Sequence, residues 1–185
     1  MKKESVCFVN LDNVLGDFDL QVRIMTGHNI KGLENKLYWS NDERTAMFMT
    51  DHLRDFSDQF WRNMPLKQDA HKLLEDCLKR YDSIKLISRY EPPIGIPHRF
   101  LYVREAKIRW AIQHFHDYVD VDDVIITKHN KSNHMEKDKI NVLIDSSYDE
   151  VRKWRSSGGI GVLYTEYEQY KRLLNYQKYR GNERE

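Results

Sequence analysis

The sequence predicts an α/β fold: a doubly wound, three-layer parallel sheet with a small helical cap inserted after the first strand. Three observations carry this expectation. Five short runs rich in Val, Ile and Leu, at Val6 to Leu11, Ile84 to Ser88, Val124 to Thr127, Val142 to Asp145 and Ile160 to Tyr164, are nearly continuous rather than alternating, which is how strands covered on both faces read. Helical stripes separate the runs from residue 68 onward, so β and α alternate and right-handed crossovers are expected. The stretch 17–66 breaks that rhythm, and a segment of about 50 residues is too long for a simple connection.

Taken in order, the first strand runs into Asn10 and Asp12 and then a tight apolar turn at Val14 and Leu15. The insertion carries its own helical patterning, with Ser40-x-x-Glu43 as a capping box and a stripe through Ala46, Met49, Leu53, Phe56 and Phe60. Placed directly after the first strand, it would lie over the carboxyl ends of the sheet as a cap, leaving 1–16 and 67–185 as the core domain. Ala70, Leu73, Leu74, Cys77, Leu78 and Tyr81 follow the spacing of one helix face. A second stripe runs from Phe100 to Phe115 through Val103, Ala106, Ile108, Trp110 and Ile112. Two further helices begin at capping boxes, Ser147-x-x-Glu150 and Thr165-x-x-Glu168, and the tail from Tyr176 to Glu185 reads as frayed.

A chain of 185 residues suits one domain with a sizeable core. Thirty basic against 29 acidic residues leave a net charge of +1, so charge alone implies no polyanion partner. Cys7 and Cys77 sit in apolar patterns and read as buried thiols, which fits a reducing compartment. No run approaches the roughly 18 apolar residues of a membrane span, and Met-Lys-Lys-Glu-Ser passes directly into a strand. A cytoplasmic protein with no membrane partner is expected.

Polar residues gather where the strands end: Asn10 and Asp12 after the first, Ser88 and Arg89 after the second, Thr127, Lys128 and Lys131 after the third, and Asp145, Ser146 and Ser147 after the fourth. In a doubly wound sheet these positions share one rim. Carboxylates, a hydroxyl and an amine together can hold a phosphoryl group beside a hard cation such as Mg²⁺. Any one of them has an ordinary explanation: Ser147 caps a helix, and a loop lysine is usually solvated. Asp145 is harder to dismiss, because a carboxylate at the end of a buried strand is costly unless paired.

These residues resemble the haloacid dehalogenase-like phosphohydrolases, which have a Rossmann-like core. Asn10-Leu11-Asp12-Asn13-Val14-Leu15 is similar to the first motif, normally Asp-x-Asp-x-Thr/Val-Leu; Lys85-Leu86-Ile87-Ser88 to the second; and Val142-Leu143-Ile144-Asp145 to the fourth. The third motif, a single basic residue, is placed at Lys131, with Lys128 as the alternative. Within the family the resemblance is closest to the 5'(3')-deoxyribonucleotidases, through Phe60-Trp61-Arg62-Asn63-Met64-Pro65, Glu91-Pro92-Pro93 and Lys107-Ile108-Arg109-Trp110. It extends from Val6 to about Leu174.

The resemblance implies hydrolysis of a phosphate monoester through an aspartyl-phosphate. It makes position 10 the nucleophile, Asp12 the general acid and base, Ser88 and Lys131 phosphate ligands, and Asn10, the main-chain carbonyl of Asp12 and Asp145 the ligands of Mg²⁺. Two residues depart from the pattern. The nucleophile position holds Asn10, and the fourth motif, usually Asp-Asp in this branch, reads Asp145-Ser146. An amide is a poor nucleophile, so turnover should be close to abolished. Asn10 is either a deliberate Asp→Asn trap, for which the intact Asp12, Ser88 and Asp145 speak, or a natural loss, for which Ser146 speaks.

The expected substrate or ligand is a nucleoside 5'-monophosphate, with Trp39, Phe48, Phe60 and Trp61 offering faces for the base and Arg89 nearby. Three functions remain open: a Mg²⁺-dependent nucleotidase, a catalytically silent nucleotide-binding protein, and a polynucleotide 3'-phosphatase. In the last, Arg89, Arg99 and Arg104 would track a nucleic-acid end; it is the less favoured partner on charge. A homodimer is compatible with any of the three.

Overall fold

The computed structural model describes residues 3–26, 57–90 and 99–172. Within them, five parallel strands form one sheet: β1 (Ser5–Asn10), β2 (Ser83–Arg89), β3 (Val124–Thr127), β4 (Ile140–Asp145) and β5 (Ile160–Leu163), in the order β3-β2-β1-β4-β5. All five expected strands are present, each within two residues of its expected start. The register sets Asn10 beside Ile87 on β2, and Val9 beside Ile144 on β4, so β1 ends level with both neighbours. Their terminal polar residues therefore meet on one rim.

Alternation along β1 divides the core. Cys7 and Val9 face the larger side, packed with Leu73, Leu74 and Cys77 of helix α3 (Ala70–Arg80) and Val103, Ala106 and Trp110 of α4 (Arg99–Phe115). Val6 and Phe8 face the other side with Ile87, Leu143 and Trp154, the last carried by α5 (Tyr148–Ser156) and set edge-on to Phe8 at 5.1 Å. Helices on both faces make the sheet doubly wound. Leu78, expected on the buried stripe of α3, is 47% exposed, because that helix presents a narrower face than its pattern allows. The two cysteines are buried and free, as expected, with sulfurs 4.0 Å apart.

The described ends of the insertion are α1 (Phe18–Thr26) and α2 (Ser57–Arg62). They enter and leave at one point, where Gly16 pairs with Leu66, Asp17 N–H donates to Pro65, and Lys67 N–H donates to Leu15. Phe18 and Val22 of α1, Phe60 and Trp61 of α2, and Met64 just beyond belong to the same core as α4. These segments are thus built into the main body; residues 27–56, with the Ser40 capping box, lie outside the described residues.

Two local devices position the rim. Asn13 adopts φ 58°, a left-handed conformation that asparagine tolerates, and its side chain exchanges hydrogen bonds with Asp19. The connection from β3 to β4 must cross β2 and β1, and it does so through a short 3₁₀ turn at Lys131–His134. Ser147 caps α5 by accepting from Glu150 N–H, as its capping box predicts. Helix α5 packs closely on β5: a Cβ at Gly161 would lie 2.9 Å from both the Val151 carbonyl oxygen and Val151 Cγ1. Gly161→Ala should therefore lower stability by about 1–3 kcal/mol, measured by urea denaturation; an unchanged midpoint would show that the helix moves aside at no cost.

Candidate functional site

At the end of β1, Asn10 and Asp12 are both buried, and each is met by a buried lysine. Lys131, from the 3₁₀ turn, donates to Asp145 Oδ2 at 2.6 Å and Asn10 Oδ1 at 2.8 Å. Lys107, from α4, donates to Asp12 Oδ2 and Ser88 Oγ, both at 2.6 Å. Ser88 in turn donates to Asp12 Oδ2 at 2.7 Å. Two lysine–carboxylate pairs thus lie side by side, and all four side chains are at most 4% exposed. Such pairs survive burial only with close geometry and further hydrogen bonds.

The amide of Asn10 links the two pairs. Its Nδ2 donates to the Asp12 carbonyl oxygen at 2.8 Å and to Asp145 Oδ1 at 3.2 Å. The partners fix its orientation, since an ammonium can only donate and a carbonyl or carboxylate oxygen can only accept. Ser146 Oγ also donates to the Asp12 carbonyl, at 3.3 Å, and Ser147 N–H donates to Asp145 Oδ1 at 2.9 Å. Burial pushes the Asp145 carboxyl above the usual range, with the Lys131 ammonium and the Ser147 N–H pulling the other way. Asp12 has one oxygen held by Lys107 and Ser88; the other, Oδ1, is buried with no hydrogen-bond partner among the described residues. A buried carboxylate oxygen left without a donor is costly, and such an atom is a candidate for proton exchange with a bound group.

Five expected site residues, Asn10, Asp12, Ser88, Lys131 and Asp145, thus come together. Lys128 does not join them: its ammonium lies over the Phe100 ring at 4.6 Å. Arg89, expected at the substrate, pairs with Glu150 Oε1 at 3.1 Å instead. Phe60 and Trp61, expected as stacking faces for a base, are each 1% exposed. They pack edge-on to one another at 4.7 Å and against Phe18, because α2 is wedged between α1 and α4 with its aromatic side inward. Trp61 has a different role, lying under the Lys107 ammonium at 3.9 Å from the ring centre. Trp39 and Phe48 lie outside the described residues.

Lys107 opens the Lys107-Ile108-Arg109-Trp110 segment of the resemblance but is not among the expected site residues. It occupies the inner face of α4, four residues after Val103 and three before Trp110, both buried. A lysine at a core-facing position of an apolar stripe was the available signal, because a buried ammonium requires a partner.

The donor set does not fit the Mg²⁺ site that the sequence implies. Each oxygen group expected to bind the cation already receives N–H or O–H donors: the Asp12 carbonyl from Asn10 and Ser146, Asp145 from Asn10, Ser147 and Lys131, and Asn10 Oδ1 from Lys131. Among the described residues, no three His, Cys, Asp or Glu side chains converge as a metal site.

No protein-family model matches this chain, and no curated protein matches it in sequence. Solved structures do. A haloacid dehalogenase-like family hydrolase, SP0104 from Streptococcus pneumoniae, is 10% identical over 89% of this chain and 86% of its own, with a TM-score of 0.56. The fold is that of the haloacid dehalogenase-like hydrolases. A second hydrolase described as belonging to that family, from Xanthomonas campestris, is 11% identical over 88% of this chain and 83% of its own, with a TM-score of 0.52. The HAD-hydrolase YfnB from Bacillus subtilis, bound to magnesium, is 9% identical over 88% and 87%, with a TM-score of 0.51. In this haloacid dehalogenase-like fold the rim described above lies at the carboxyl ends of the central strands, where open α/β sheets bind ligands. Among the described residues no helix is long and apolar enough to cross a membrane.

Removing one partner of a buried pair leaves a bare charge. Lys107→Met should therefore cost about 3–5 kcal/mol in denaturant unfolding, and adding Asp12→Asn should recover much of the loss. A cost below about 1 kcal/mol for the single variant would mean that Asp12 is not held by this lysine.

Proposed function

We propose that this chain recognises a phosphate monoester at the rim formed by β1, β2 and β4, and that hydrolysis there is suppressed at position 10. The observation that carries the proposal is Asp12, whose Oδ2 is clamped by Lys107 and Ser88 while the buried Oδ1 is without a partner among the described residues. A carboxylate held in this way is oriented for proton exchange with a leaving oxygen or a water. The Lys131 ammonium beside it supplies positive charge for the phosphoryl oxygens.

Covalent transfer would need an oxygen nucleophile at position 10. Attack by a carboxylate oxygen on phosphorus would form an aspartyl-phosphate as the ester bond breaks, with Asp12 protonating the departing oxygen and later accepting a proton from the attacking water. Asn10 has no such anionic oxygen: its Oδ1 is neutral and accepts from Lys131. The chain is therefore a binding protein on a phosphohydrolase fold as it stands, with a dormant acid and base.

Within this class the proposed ligand is a nucleoside 5'-monophosphate in a cytoplasmic setting, supported by the resemblance of the 60–65 and 107–110 segments to nucleotidases. A polynucleotide end is less well supported, because Arg89 is engaged by Glu150. The hydrolytic alternative, a Mg²⁺-dependent 5'-nucleotidase, applies to a parent with a carboxylate at position 10.

The test is a panel of nucleoside 5'-monophosphates and 3'-phosphorylated oligonucleotides, read by thermal stabilisation and by phosphate release with Mg²⁺ in the buffer. The unmodified chain should be stabilised by at least one mononucleotide without turnover, and Asn10→Asp should release phosphate at least about a hundredfold faster. No stabilisation by any mononucleotide contradicts the ligand class. An oligonucleotide end that competes better, with steep salt dependence, favours the polynucleotide alternative.

A further inference from the structure

We infer that this site takes a phosphoryl group without a divalent cation, because Asn10, Ser146 and Lys131 occupy the oxygen atoms from which such a cation would be held. The inference deepens the phosphate-monoester proposal above and rests on it.

The Asp12 carbonyl oxygen has two lone pairs, and both are engaged, one by Asn10 Nδ2 at 2.8 Å and the other by Ser146 Oγ at 3.3 Å. These two donors are the two residues at which the sequence departs from the phosphohydrolase pattern. They converge on one atom from sites 136 positions apart in the chain, so the departures act as one change. A carboxylate at position 10 would set a second oxygen against the Asp12 carbonyl and Asp145 Oδ1, a repulsion that a cation between them would relieve. The amide offers N–H groups at the same place, and no cation is needed.

Charge supports the same conclusion. Two ammonium groups, Lys107 and Lys131, face two carboxylates, Asp12 and Asp145, so the cluster is neutral as it stands. Carboxylates at both 10 and 146 would make it doubly negative, the charge that one divalent cation offsets. Binding a cation in the present set would require turning the Asn10 amide away from its partners and displacing Lys131 from Asp145. The Lys131 ammonium has three protons and, among the described residues, two acceptors, Asn10 Oδ1 and Asp145 Oδ2. Its third proton can be given to a phosphoryl oxygen.

The experiment measures inorganic phosphate and Mg²⁺ separately, by isothermal titration and thermal shift, on the unmodified chain, Lys131→Met and the double variant Asn10→Asp/Ser146→Asp. On the unmodified chain, phosphate should bind with the same affinity within about twofold in EDTA and in Mg²⁺, and Mg²⁺ alone should leave the melting temperature unmoved. Lys131→Met should weaken phosphate binding in EDTA at least about tenfold, while the double variant should be stabilised by Mg²⁺ alone and lose that stabilisation in EDTA. Phosphate binding that appears only with Mg²⁺, or stabilisation of the unmodified chain by Mg²⁺ alone, overturns the inference and leaves the phosphate-monoester proposal standing. Absence of phosphate binding under both conditions overturns the two together. If the double variant does not fold, Lys131→Met still decides: undiminished phosphate binding in EDTA contradicts the role given to its ammonium.

Discussion

Two carboxylates buried at the ends of neighbouring parallel strands can persist only if something takes up their charge. In this chain the cost falls on two lysines from distant parts of the sequence, Lys107 with Asp12 and Lys131 with Asp145. An uncompensated ion in such a place would cost several kcal/mol, a large part of a domain's net stability. The surrounding elements are arranged to meet this demand. Helix α4 places Lys107 over Trp61 with its ammonium on Asp12, and the crossover from β3 to β4 carries Lys131 to the rim. The left-handed Asn13 turns the chain after Asp12. Packing, topology and turn geometry are thereby tied to one electrostatic requirement.

The same requirement separates the fold from its usual chemistry. The similar solved structures are about a tenth identical to this chain, which shows a shared architecture and nothing of the site. What the site can do follows from its donors and acceptors. An amide at position 10 turns one oxygen of a carboxylate into two N–H donors, and those donors hold the groups that a carboxylate would repel. Ser146 adds a second donor to the Asp12 carbonyl. The cluster is neutral and closely bonded, with Asp12 Oδ2 held by Lys107 and Ser88.

Much of the fold was legible because the strands are buried on both faces. Val6 to Val9 and Val142 to Ile144 read as central strands, since their short apolar runs do not alternate with polar residues. Motif order then placed Asn10, Asp12, Ser88 and Asp145 on one rim, and Lys131 over Lys128. Three things were not legible. Lys107 was hidden in an apolar helical stripe, where its burial depends on a carboxylate 95 positions away. Phe60 and Trp61 looked like ligand-facing aromatics, but aromatic content does not say which side a helix turns inward, and α2 turns both into the core. Arg89 reads as a ligand contact at a strand end, yet Glu150, the capping-box residue of α5, reaches it first.

The Asn10 amide joins the two lysine–carboxylate pairs, and its side-chain resonance reports on that link directly. In ¹H–¹⁵N spectra of labelled protein, assigned by loss of the signal in Asn10→Asp, the Nδ2 protons should exchange slowly with water, as expected of buried donors bonded to Asp12 O and Asp145 Oδ1. They should also keep their shifts as Mg²⁺ is added to excess. A fast-exchanging amide, or a saturable Mg²⁺-dependent shift of that resonance, would contradict the claim that the amide stands where a cation would otherwise be held.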